Sequence, residues 1–173
     1  VKKAFTLFEI MIVIILISTI YIFAINSFTK NNDLQKDEVT LLNLKKTLLS
    51  QEFEEKITIK CIENDFSCFV FIDGTLQEDV LKPIFKEQPI VYDYTPELEK
   101  LEFIDLELEQ LQRYSIVFEY SCKKDQRCSE MIVETETKTY IFNDMYKKPE
   151  VIEYINDIDE YFDAKIREVK DAF

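Results

Sequence analysis

Glu9 places a carboxylate inside residues 5–25, a run that is otherwise free of charge. An ionised acid left in hydrocarbon costs on the order of 2–3 kcal/mol or more, so such a residue needs a counter-charge or a function. Two other groups of residues have types and spacing that could do chemistry: the cysteines, set as Cys61-x6-Cys68 and Cys122-x5-Cys128, and the acidic series Glu97, Glu99, Glu102, Asp105, Glu107 and Glu109. Much else is excluded at once. The chain has no histidine, which removes Ser-His-Asp triads, histidine metal sites and imidazole general bases. Gly74 is the single glycine, so neither a P-loop nor a dinucleotide fingerprint can be built. A net charge of −13 argues against a nucleic-acid surface, which needs a basic footprint, and favours solubility as the role of the acids.

Each cysteine pair spans a predicted hairpin turn, so local pairing, Cys61 with Cys68 and Cys122 with Cys128, is the natural one of the three connectivities. Closing such short loops contributes roughly 2–3 kcal/mol each in an oxidising compartment. The rival is a zinc site made by all four cysteines, against which stand intervals longer than the usual knuckle. The acidic series offers oxygen ligands of the kind calcium takes. It lacks an Asp-x-Asp-x-Asp-Gly loop, and alternation along a strand accounts for most of it. The same acids could be paired on paper for glycosidase-like chemistry, but in so acidic a chain their spacing discriminates nothing.

The elements that would position Glu9 come next. As a helix rising about 1.5 Å per residue, residues 5–25 would cover roughly 30 Å, enough for a bilayer core. Lys2 and Lys3 precede the run, and the positive-inside bias then puts the N-terminus in the cytoplasm and the remainder outside. A cleavable secretory signal is the competitor. The apolar block exceeds the usual length for one, and only Asn26-Ser27-Phe28 follows where a small-residue site is required.

The sequence Lys2-Lys3-Ala4, then Phe5-Thr6-Leu7-Phe8-Glu9-Ile10-Met11-Ile12-Val13-Ile14, resembles the class III signal of type IV pilins and type II secretion pseudopilins. The resemblance covers about 25 residues and implies a leader at 1–4, cleavage by a prepilin peptidase between Ala4 and Phe5, N-methylation of Phe5, and Glu9 as the assembly glutamate. It also implies homologous subunits, the peptidase, an inner-membrane assembly platform and membrane lipid as partners, with no cofactor and no nucleic acid. Localisation would be a single-pass inner-membrane protein with a periplasmic domain, later part of a filament. On this reading the chain is a structural subunit, a minor pilin or pseudopilin, and not an enzyme. The spacing has a physical reason: cutting before Phe5 frees an α-amino group one helical turn from Glu9, so ammonium and carboxylate lie at matching depth in neighbouring subunits and neutralise each other. The chain departs from the family pattern with Ala4 in place of the common Gly, a very short leader, and Asn26 where many pilins carry a kinking Pro. Two alternatives stay open, a monomeric membrane-anchored periplasmic binding or sensory domain, and a competence pilin for DNA uptake. The second needs a basic patch, for which Lys123, Lys124 and Arg127 are the compact candidates.

Residues 29–56 carry Leu34, Leu41, Leu42, Leu48, Leu49 and Phe53 with no breaker, and are expected to continue the helix of 5–28 as an amphipathic second half, giving one straight element of roughly 50 residues. Beyond Lys56 the period becomes two. Strands are predicted at 57–61, 68–72, 89–94, 98–108, 113–121, 128–134 and 138–142, with 75–88 unreadable apart from a helical turn near Thr75 to Val80. Val151, Ile155, Ile158, Phe162, Ile166 and Val169 predict an amphipathic helix over 150–172 that packs on the sheet or binds a partner. The expected fold class is α+β: a long N-terminal helix, membrane-spanning in its first half, packed on an antiparallel β-sheet, with an additional C-terminal helix, the domain occupying 57–173.

Overall fold

A computed structural model describes residues 10–19, 39–108, 112–144 and 148–171. The chain divides into two units, Val1–Lys36 and Asp37–Phe173. In the first, residues 10–19 form helix α1. In the second the order is α2 (Leu44–Leu49), β1 (Lys56–Ile62), β2 (Cys68–Ile72), β3 (Thr75–Leu81), β4 (Ile90–Tyr92), β5 (Leu106–Leu108), β6 (Gln112–Tyr114), β7 (Ile116–Lys123), β8 (Met131–Glu134), β9 (Thr139–Phe142), β10 (Glu150–Ile152), a 3-10 turn (Ile155–Asp157) and α3 (Ile158–Asp171).

Among the described residues the expected unbroken helix is not present. Residues 39–43 are not helical, α2 lasts six residues, and β1 already begins at Lys56. A breaker-free sequence does not continue as helix here because partners distant in sequence offer more. The N–H of Gln51 tightens back to the carbonyl of Leu48. Then the Asp73 carboxylate accepts the backbone N–H groups of Glu54, Glu55 and Lys56 at 2.8, 2.7 and 2.9 Å, turning the chain into β1. Leu44 and Leu48 are buried, and α2 packs against β1 and β7. At about 1.5 Å per residue, α1 covers roughly half of a bilayer core. No helix among the described residues is long and apolar enough to cross a membrane. The single-pass inner-membrane anchor, the transmembrane first half and the long-helix fold class are corrected accordingly: the fold is α+β, built on small β-sheets.

Two antiparallel four-stranded sheets form the body, β3-β2-β1-β7 and β10-β9-β8-β4, with β5-β6 as a separate ribbon. In the first sheet Ile59 stands opposite both Val70 and Tyr120, and Cys61 opposite both Cys68 and Phe118, so one face collects the large buried side chains. Tyr120 meets Phe142 of β9 with ring centroids 5.0 Å apart, which joins the two sheets. A register shift between Cys61 and Ile62 ends this pattern. Beyond it Ile62, Leu106 and Ile116 form a second cluster with Phe69, Phe71 and Phe103. On β8 and β9, the paired Ile132 and Ile141 lie under Ile158 of α3.

Three local expectations change. Thr75–Leu81 is a strand and not a helical turn, because Asp73 (φ 50°) and Gly74 (φ 82°) both take the left-handed conformation that a two-residue hairpin turn requires. Of 98–108 only Leu106–Leu108 is a strand, so the alternation of 101–105 lies on a connecting segment. The C-terminal helix starts at Ile158, after Glu150–Ile152 has paired with β9.

The Asp73 clamp makes a pH prediction. Hydrogen bonds from the Glu54 N–H, then those of Lys56 and Glu55, hold its carboxyl below the usual carboxylate range. Its contribution to stability is therefore complete above about pH 4 and is lost as pH falls through the lower folded-state value. Asp73→Ala is expected to lower the thermal midpoint at pH 7 by about 5 °C and to flatten the acid limb of a plot of midpoint against pH. An unchanged acid limb would count against the clamp.

Candidate functional site

Ala4, Phe5 and Glu9, the expected processing and assembly residues, lie outside the described residues. Directly after them comes α1, whose residues from Ile10 to Ile17 are all apolar and 44–58 % exposed. Its hydroxyls do not interrupt this surface: Ser18 Oγ donates to the Ile14 carbonyl at 2.8 Å and Thr19 Oγ1 to the Leu16 carbonyl at 2.8 Å, so the helix satisfies them internally. A helix apolar on every side belongs inside something, whether a core, a bundle or an assembly.

The cysteines form two disulfides, Cys61–Cys68 and Cys122–Cys128. Each closes the end of a hairpin, the first between residues directly opposite on β1 and β2, the second across the turn after β7. They occupy the thiolates that a zinc site would need. Among the described residues no group of three or more carboxylates or cysteines converges as a metal site; Glu97, Glu99, Glu102, Asp105 and Glu107 are spread along an exposed stretch, and Glu109 lies outside the description.

Of the basic residues weighed for DNA binding, Lys124 and Arg127 have structural work, while Lys123 is exposed. Lys124 Nζ donates to the Phe53 carbonyl at 2.6 Å and lies 5.9 Å from the centre of its ring. Arg127 Nε donates to Asp125 Oδ2 at 2.7 Å. That pairing holds the Asp125 carboxyl below its usual range. Sequence reasoning missed the residues that join this turn from elsewhere. Lys45, Lys46 and Lys148 line, with Asp125, Arg127, Asp144, Leu42 and Leu49, a cleft of about 850 Å3. Lys45 is nearly buried, donates from Nζ to the Asp144 carbonyl at 2.6 Å, and has Asp144 Oδ1 at 3.6 Å, across 99 positions of sequence. The same Oδ1 accepts the Cys128 N–H at 2.7 Å, and the Asp144 N–H donates to Glu130 Oε1. Asp144 thus ties α2, the end of β9 and the disulfide turn together. No local pattern signals this, since a lysine in a six-residue amphipathic helix reads as a solvated face.

Under α3 the phenols are donors. Tyr92 donates to Glu134 Oε2 at 2.8 Å, and burial, followed by that carboxylate, pushes its pKa up to about 12. Tyr161 donates to Glu150 Oε2, whose other oxygen accepts from Lys165 at 3.0 Å, and burial first and then this bond raise the Tyr161 pKa. These phenols stay protonated at neutral pH, Tyr92 tying β4 to β8 and Tyr161 holding α3 on β10; they are not nucleophiles.

Comparison with protein-family models, with curated proteins and with solved structures finds no match to this chain.

Proposed function

We propose that this protein is a pilin-like structural subunit, a minor pilin or pseudopilin, that is cut between Ala4 and Phe5 by a prepilin peptidase, methylated on Phe5, and packed into a filament with homologous subunits through its N-terminal segment. The observation that supports this reading is the uninterrupted apolar surface of α1 immediately after the Phe5-Thr6-Leu7-Phe8-Glu9 signal. Covered by like helices, that surface is removed from water at about 25 cal/mol per Å2. The freed amine of Phe5 and the carboxylate of Glu9 then fix the stagger, because a misaligned helix leaves both charges unpaired in a low-dielectric core. The role is mechanical and requires no cofactor.

Intact mass of the protein purified from its own cells tests it. The expected mature chain lacks residues 1–4 and carries a methyl increment of about 14 Da on Phe5. Glu9→Ala is expected to be cut at the same bond and to fall in filament incorporation by at least about tenfold, the cost of one unpaired buried charge. An uncut chain in working filaments, or normal incorporation of Glu9→Ala, overturns the reading.

A further inference from the structure

We infer that the cleft between α2 and the Cys122–Cys128 turn receives the segment Glu102–Asp105 of a second copy of this chain, making a head-to-tail contact between the globular units. It rests on the filament reading only for the identity of the occupant.

The cleft has two kinds of surface. Leu42 and Leu49 give it apolar lining, and the exposed Lys46 and Lys148 line it too. Lys45 is engaged by Asp144 and Arg127 by Asp125. Lys46 and Lys148 make no ion pair with any described residue, so the cleft keeps an excess of positive charge on a chain of net charge −13.

The segment has the opposite character. Phe103 packs into the cluster of Ile62, Leu106 and Ile116, and Leu106 is itself buried, so Ile104 is held between two anchors. It is nonetheless 84 % exposed, more than any other large hydrophobic described. Glu102 and Asp105 flank it, exposed and without an ion pair to a described residue. Leu101 and Ile90, which line a depression with Glu102 and Asp105, are also exposed. An apolar knob flanked by two carboxylates complements a cleft lined by two leucines and two ammonium groups, none of the four charges ion-paired among the described residues. One exposed isoleucine needs no explanation, but one presented on an anchored segment with matching charges on the same molecule does. The two surfaces are different parts of the chain, so the contact is heterologous. Repeated, it closes a ring or extends a filament and does not stop at a two-fold dimer. Complementary charge of this kind sets register and partner choice more than affinity.

The test mixes isotopically heavy and light full-length chains, purified from their own cells, with a carbodiimide that joins a lysine amine to a carboxylate in direct contact. Heavy-to-light peptide pairs linking Lys46 or Lys148 to Glu102 or Asp105 are expected. Ile104→Ser leaves all four reactive groups in place and is expected to lower that yield about fivefold. Chains carrying Lys46→Glu with Lys148→Glu, or Glu102→Lys with Asp105→Lys, are each expected to lose the cross-link alone and regain it when mixed, with circular dichroism checking that both fold. Wild-type chains without these pairs, an Ile104→Ser yield equal to wild type, failure of the mixed reversals to recover, or a cleft that cross-links only to added polyglutamate would each overturn the inference. The N-terminal peptide is read in the same spectra. Residues 1–4 retained beside an intact cross-link remove the filament reading alone, whereas a cut and methylated Phe5 without the cross-link removes the docking contact alone.

Discussion

Asp144→Ala is expected to lower the unfolding free energy by about 3 kcal/mol, because it removes the acid facing a lysine that has almost no access to water. Lys45 has 8 % of its side chain exposed, and the Asp144 carboxylate is its one acidic partner among the described residues. The same oxygen accepts the Cys128 N–H, so the substitution also unties the disulfide turn from β9. Breaking a fully buried pair costs about 3–5 kcal/mol. The lower end is expected here, since Asp144 is 27 % exposed and the bond from Lys45 to its main-chain carbonyl survives. Asp144→Asn keeps an acceptor for Cys128 and should cost about half as much. Adding Lys45→Met to Asp144→Ala should recover at least about 1 kcal/mol, because no unpaired charge then remains. Urea unfolding of wild type, Asp144→Ala, Lys45→Met and the double variant measures this as a double-mutant cycle. A coupling near zero would mean that the pair is incidental to stability.

Phe118→Ala should be the most damaging single substitution in the domain, at about 3–5 kcal/mol. Phe118 is fully buried, meets Phe85 edge-on with centroids 5.1 Å apart, and stacks along β7 on Tyr120, which in turn touches Phe142. This row of rings connects the segment before β4 with both sheets. Truncating the ring opens a cavity that the pairing of β7 with β1 keeps from collapsing fully. Against a total stability of about 5–15 kcal/mol, the loss can leave a substantial unfolded fraction. A fall in the urea midpoint with an unchanged slope is expected. A loss below about 1 kcal/mol would show that the site repacks and that the ring row is not the centre of the core.

The hairpin ends were legible because the information is local. Cys61 and Cys68 flank one turn, within a few residues of the strands it connects, whereas the Asp73-Gly74 turn is not read from the sequence, which suggests a helical turn from Thr75 to Val80 instead. The helix over 29–56 was misread for the complementary reason. Its leucines do bury a face, at Leu41, Leu44 and Leu48, but the carboxylate that redirects the chain at Glu54 comes from Asp73, which no helical period records. The alternating acids of 101–105 likewise suggested a strand, although Tyr92 already pairs with Ile132 on one side and bridges only to Lys100 on the other, leaving Ile104 outside any sheet.

The sequence by itself determined the absence of imidazole chemistry, the apolar character of α1, the β1–β2 pair around Cys61 and Cys68, the local pairing of both cysteine couples and the amphipathic stripe of α3. All of these follow from residue type and short-range spacing, where each side chain's partner is a few positions away. Tertiary structure alone decided where α2 stops, that Lys45 is buried against Asp144, and that a cleft lined by Lys46 and Lys148 exists beside the disulfide turn. Those features depend on contacts between residues tens of positions apart. The free energy of such contacts resides in the pairing of groups that are unremarkable when read one segment at a time.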